Sequence, residues 1–215
     1  MYLYSAFTNT LLMPFFSPDK GDLLFTAFNA DEDGWTIVVL APVAASTVIY
    51  FNDNEATSTS AFNTGESAFQ FTFPAATTEP GTVIRFSDIG ASRAASIGTF
   101  ATADGVNNLG LSSTSETLYI YQGTSATQPT TFITAVSSVG TSTELTPAGL
   151  TNGVDAIVLT ASADYGEYTG MRTGQASWAA YKLMLVNAAN WMVDTTNGDY
   201  AATVPTTTAF TCGAE

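Results

Sequence analysis

Residues 21–55 read GDLLFTAFNADEDGWTIVVLAPVAASTVIYFNDNE. Two apolar runs, 23–28 and 35–40, flank an acidic turn at 29–34, and a third run, 47–51, follows a break at Pro42. Each run is rich in β-branched and aromatic residues and is bounded by turn formers, so each predicts a strand. This stretch is the middle of a sheet protein, and the remainder of the chain extends it.

Downstream, Phe69, Phe71 and Phe73 fall at every second position, which places one aromatic face against a core. Pro80 and Gly81 make a turn before a further strand at 82–86. Residues 87–115 are mostly small and polar and predict long connections with one short strand at 97–100. Strands at 116–121 and 131–136 form a hairpin-like pair around a loop at 122–130, and another strand covers 155–160. Residues 164–168 read as a polar-aromatic loop. Trp178, Tyr181, Leu185 and Ala188 recur at three- and four-residue steps, which predicts one helix over 175–188, ended by Asn190 and Trp191. Asn197 and Gly198 form a turn, and the Thr-rich tail after Thr203 is extended, with Pro205 pointing to an edge or a coil. With no composition break to divide the chain, the fold class is all-β: a single jelly-roll-like β-sandwich at 21–215, preceded by an extended arm at 1–20.

The arm is apolar, yet it lacks the basic start of a signal peptide and is too short and too interrupted to span a bilayer. Leu3, Phe7, Leu11, Met13 and Phe15 occupy odd positions, one face of an extended segment. Such an arm needs a partner, either an edge of its own sandwich or the sheet of a neighbouring copy.

Composition limits the chemistry. The 215 residues carry 19 acidic and 5 basic side chains, a net charge of −14, with no basic cluster to neutralise phosphates. Nucleic acid and anionic membranes are therefore not expected partners. Histidine is absent, which removes the commonest general base and metal ligand, and the lone Cys212 is either inert or an intermolecular link. With charged residues at 11%, the surface must be largely Thr, Ser, Ala, Asn and Gly, a skin suited to packing against copies of itself.

Calcium is the one cofactor the residues suggest, since it takes oxygen ligands only. Asn29, Asp31 and Asp33 place oxygens at alternate positions before Gly34, and Asp53 and Glu55 add two more. Neither group completes an EF-hand loop, and turn formation explains the same residues. Acid pairs for glycoside hydrolysis would be Glu66 with Asp88 or Glu167 with Asp164, but no accompanying motif supports catalysis, and no enzyme is expected. Trp35 and Trp178 fall at core positions, which leaves Tyr165 and Tyr168 as the aromatic ligand-binding candidates.

Several segments resemble a group of bacterial secreted or cell-surface β-sandwich proteins with a lamin-tail-like domain: GDLLFTAFNAD at 21–31, TVIYFNDNE at 47–55, GTVI at 81–84, GLTNG at 149–153, DAIVL at 155–159, YTG at 168–170, and Asn190 with Trp191. The resemblance implies an extracellular or cell-surface setting and supplies no catalytic residues. The expected function is a self-assembling structural subunit of a surface filament, fibre or S-layer, homopolymeric by N-terminal strand addition. The alternative is a carbohydrate- or surface-binding adhesion module.

Overall fold

The acidic turn of the opening stretch closes a hairpin. In a computed structural model, which describes residues 17–103, 110–195 and 198–213, strand β1 (Leu23–Asn29) pairs antiparallel with β2 (Gly34–Val39), with a bulge between Phe25 and Ala27. The chain then crosses through Pro42 to the second layer, where β3 (Val48–Asn52) lies. A small two-stranded flap follows, β4 (Ala56–Ser58) with β5 (Ala61–Phe62), and then β6 (Ala68–Thr72) returns beside β3. Strand β7 (Val83–Ser87) rejoins the first layer next to β2, and β8 (Ala94–Ala95) and β9 (Thr99–Thr102) finish one edge of each layer.

Strands β10 (Thr117–Ser125) and β11 (Gln128–Ser137) form the longest hairpin, followed by the short parallel strand β12 (Ile157–Val158). The last part supplies β13 (Tyr165–Tyr168), β14 (Thr173–Gln175), helix α1 (Trp178–Leu185), a 3-10 turn at Ala188–Asn190, β15 (Trp191–Asp194) and β16 (Thr211–Cys212). The result is a sandwich of two six-stranded sheets, ordered β15-β13-β1-β2-β7-β8 and β12-β11-β10-β3-β6-β9. The all-β expectation holds.

Three local expectations change. Residues 122–130 are not a loop: β10 and β11 continue through them to a tight turn, with Gln122 paired to Thr131 and Ser125 to Gln128. Residues 164–168 are not a loop either, because β13 is inserted between β1 and β15. The helix is shorter than 175–188. Gln175 lies in β14, Ser177 caps the helix by accepting a hydrogen bond from the Ala180 N–H, and Val186 ends it.

The core between the sheets is aromatic. Trp35 lies opposite Phe86 across the β2–β7 pair and is fully buried, with the rings of Phe51, Phe86, Phe100 and Phe69 at 5.0, 5.4, 5.8 and 5.9 Å. Period-two alternation puts Ile49 and Phe51 of β3 into this layer and turns Tyr50 outward. Outside the second sheet Tyr50, Tyr119, Tyr121 and Phe132 form another cluster, sealed by Phe62 of the flap and by Leu145, Ala148 and Leu150.

The first sheet is buried on both faces. Leu24, Thr26 and Val38 alternate with the core residues yet are buried too, because α1 packs against β1 and the tail adds Phe210 beside Tyr181. The tail is fastened where the Phe210 N–H donates to the Gly81 carbonyl (2.9 Å); Gly81 has φ +91° and a Cβ there would meet that tail at 2.2 Å, so glycine is required.

Trp35 tests the core directly. Trp35→Ala is expected to lose about 3–5 kcal/mol of stability in urea unfolding. Trp35→Phe should cost clearly less, since the indole N–H has no partner to lose.

Candidate functional site

The antiparallel register of β3 brings three acids to one end of the second sheet. Asn52 lies opposite Ala68 of β6 on one side and Tyr119 of β10 on the other. Continued by one residue, that register sets Asp53 beside Ser67, the residue before β6, while Glu66 lies two residues before β6 and Glu116 immediately before β10. The three acids, with Gly110, Leu111 and Ser112, line a cleft of about 240 Å³.

Local hydrogen bonds fix the arrangement. Asn52 Oδ1 accepts from the Asn54 N–H (2.8 Å) and from Asn54 Nδ2 (2.7 Å), and Asn54 Oδ1 accepts from the Glu66 N–H (3.0 Å). The Asp53 N–H donates to the Ser67 carbonyl (3.2 Å). Glu116 is held at both oxygens, Oε2 by the Ser112 N–H (2.8 Å) and Oε1 by the Thr117 N–H (2.9 Å). The loop over the cleft is tied to the other sheet, because the Leu111 N–H donates to Asp33 Oδ1 (2.8 Å).

Asp53 is only 2% exposed and its Oδ1 has no hydrogen-bond partner. Burial pushes its carboxyl up to about 7, against the hydrogen bonds from Ser67 and with the help of the Glu66 charge. Burial likewise pushes Glu116 up to about 8, opposed by the Ser112 N–H and reinforced by Asp53 and Glu66. Glu66 is raised by burial and by Glu55. No basic side chain offsets the cleft. Arg85 pairs with Glu32, while Lys20, Arg93, Arg172 and Lys182 donate to the carbonyls of Gly149, Ile89, Thr208 and Lys20. Those five are all the basic residues of the chain.

The calcium candidates are divided between two places. Asn29 Oδ1 accepts from the Glu32 N–H (3.1 Å) and its Nδ2 donates to the Tyr200 carbonyl (3.1 Å), so it turns the hairpin and clamps the tail. Asp31 Oδ2 accepts from the Tyr200 N–H (2.8 Å), and Asp33 holds Leu111. These three cap backbone at separate points. Asp53 belongs to the cleft, and Glu55 is exposed, accepting from Asn63 Nδ2 at 3.3 Å. Among the described residues, no group of three or more Asp, Glu or Cys side chains stands gathered at metal-holding geometry.

The acid pairs do not form as paired in sequence. Asp88 caps Ser92, with Oδ2 accepting from its Oγ at 2.6 Å, whereas Glu66 belongs with Asp53 and Glu116. Glu167 accepts from Tyr165 Oη (2.7 Å) and the Thr206 N–H (2.6 Å), and Asp164 lies by Asp31 and Asp194. Tyr165 and Tyr168 offer no open ring face for a ligand. They are 1% and 2% exposed, Tyr165 stacks on Tyr200 at 4.4 Å, and the Tyr168 hydroxyl donates to the Met171 carbonyl (3.1 Å). The arm residues Leu3, Phe7, Leu11, Met13 and Phe15 lie outside the described residues.

Sequence reading did not single out Glu116 or Asn52. The available signal is positional: an acid stands at the end of one apolar run and just before two others that pair with it. Compared with known proteins, the chain matches no family model, no curated sequence and no solved structure.

The raised carboxyls carry a pH signature. A folded-state value above the unfolded one means that the folded chain binds more protons between pH values of about 4 and 8, so these groups lower stability progressively as pH rises through that window. In chelator-containing buffer, melting temperature is expected to fall from about pH 5 to about pH 9. Asp53→Asn and Glu116→Gln should each flatten that fall; unchanged slopes in both would show that the cleft does not set it.

Proposed function

We propose that this chain is a structural subunit of an extracellular or cell-surface assembly, joined to further copies by strand addition at the open edge of its second sheet. The observation that carries this reading is β9. Among the described residues it ends the sheet, and it pairs with β6 over four residues without a register shift and exposes Thr99, Ala101 and Thr102. Monomeric sheet proteins guard such edges with charge, proline, bulges or brevity, and Thr-Phe-Ala-Thr has no charge, proline or bulge. The other edges are better protected: β8 and β12 are two residues each, and β15 ends in Asp194.

The alternating apolar pattern of Leu3 to Phe15 supplies the donor in this reading. Main-chain hydrogen bonds would give the joint its length, and alternate side chains its register. Two further features support it: the sparsely charged, hydroxyl-rich composition, and the resemblance of residues 21–191 to secreted sandwich proteins.

One observation favours the adhesion-module alternative. A groove of about 390 Å³ on the outer face of the second sheet is lined by neutral residues, among them Tyr50, Gln70, Thr102, Thr124 and Thr127. Tyr50 is held flat by stacking on Tyr121 at 5.6 Å, an arrangement suited to a sugar ring.

Light scattering and electron microscopy separate these readings. The full chain is expected to form polymers, while deletion of residues 1–16 or the edge substitution Ala101→Lys should leave folded monomers. Polymers of unchanged length from both variants would contradict strand addition. A monomeric full chain that binds glycans and loses them with Tyr50→Ala would establish the adhesion module instead.

A further inference from the structure

We propose that residues 1–16 close first on their own molecule, lying in the groove beside Tyr50 and capping the β9 edge until the arm of a neighbouring copy displaces them. This inference rests on the strand-addition reading and adds its regulation: an isolated subunit holds itself in a self-capped state.

The point where the arm leaves the fold carries the proposal. At Ser17 the Oγ accepts from Gln122 Nε2 of β10, and the root behind it is fixed. Lys20 Nζ donates to the Gly149 carbonyl (2.6 Å) and the Gly21 N–H to the Ile133 carbonyl (2.9 Å). The residue before Gln122 starts a row across the second sheet, because Tyr121 pairs with Tyr50, Tyr50 with Gln70, and Gln70 with Ala101. The exit and the middle of β9 are therefore level, three strand spacings of about 4.8 Å apart, or ~14 Å. About five extended residues cover that distance at ~3.3 Å each, which leaves about eleven to meet a four-residue edge.

The groove marks the path. It runs from the turn of the β10–β11 hairpin, at Thr124 and Thr127, past Tyr50 and Gln70 to Thr102 and Ala103, with a volume of about 390 Å³. None of its lining side chains is charged, and none in residues 1–16 is, although the chain carries a net charge of −14. A charged partner would find no counter-charge there, whereas a neutral strand leaves no charge unpaired. The arm of another copy starts from a different root and reaches β9 without crossing this groove, so mutation separates groove from edge.

Hydrogen exchange read by mass spectrometry on dilute monomer, alongside assembly kinetics of concentrated protein, tests self-capping. The peptide carrying β9 should exchange about tenfold or more slowly in the full chain than in the chain lacking residues 1–16, equally at every dilution. Gln70→Lys, at an exposed groove position, should raise β9 exchange toward the rate of the deletion and shorten the assembly lag, whereas Ala101→Lys stops assembly. Equal β9 exchange in full chain and deletion overturns self-capping; if the full chain still polymerises, strand addition itself survives. Gln70→Lys that exchanges and assembles as the parent does overturns it too. Protection that vanishes on dilution assigns the edge to a second copy alone, and groove protection that appears only with added cellohexaose assigns the groove to sugar; either result overturns the proposal.

Discussion

Strand β3 runs antiparallel to both of its neighbours, with Asn52 opposite Ala68 on one side and Tyr119 on the other, and most of the molecule follows from that register. Its alternation sends Ile49 and Phe51 into the layer around Trp35 and presents Tyr50 to the outer cluster over Tyr121. Its end delivers Asp53 between the beginnings of β6 and β10. A slip of one residue would exchange the two faces and disperse the acids, so core and cleft are specified together.

The two faces of the sandwich solve burial differently. The first sheet is covered by a helix and by a tail fastened at Gly81, Asn29 and Asp31, while the second is covered by a small flap and by the 145–150 connection. Both covers consist largely of connecting segments, which is why polar side chains in the hairpin turn act as backbone caps. The few basic residues are used in the same way, four of the five on carbonyl oxygens. Electrostatic compensation inside the chain is therefore scarce, and the acids at the end of β3 stand out against that background.

The strands were legible where period-two alternation was strong, as in 23–28, 35–40 and the phenylalanines of β6. They were not legible where the sheet runs beyond the core: Gln122 to Thr130 are polar because the far end of the β10–β11 hairpin is partly in solvent. Strand β13 was hidden by Gly166 and Glu167, whose polar look reflects a hydrogen bond to Tyr165 rather than exposure of the strand. The cleft was half visible. Asp53 and Glu66 are each conspicuous, but Glu116 joins them only through the pairing of β10 with β3, a long-range register that local pattern does not carry.

Carboxyl-carbon NMR titration of Asp53 and Glu116 in chelator-containing buffer measures the convergence of the three carboxyls most directly. The structure predicts midpoints near 7 for Asp53 and near 8 for Glu116, both moving down in Glu66→Gln because the neighbouring charge is removed. Midpoints in the ordinary carboxyl range near 4 for both residues, indifferent to Glu66, would contradict the shared cleft.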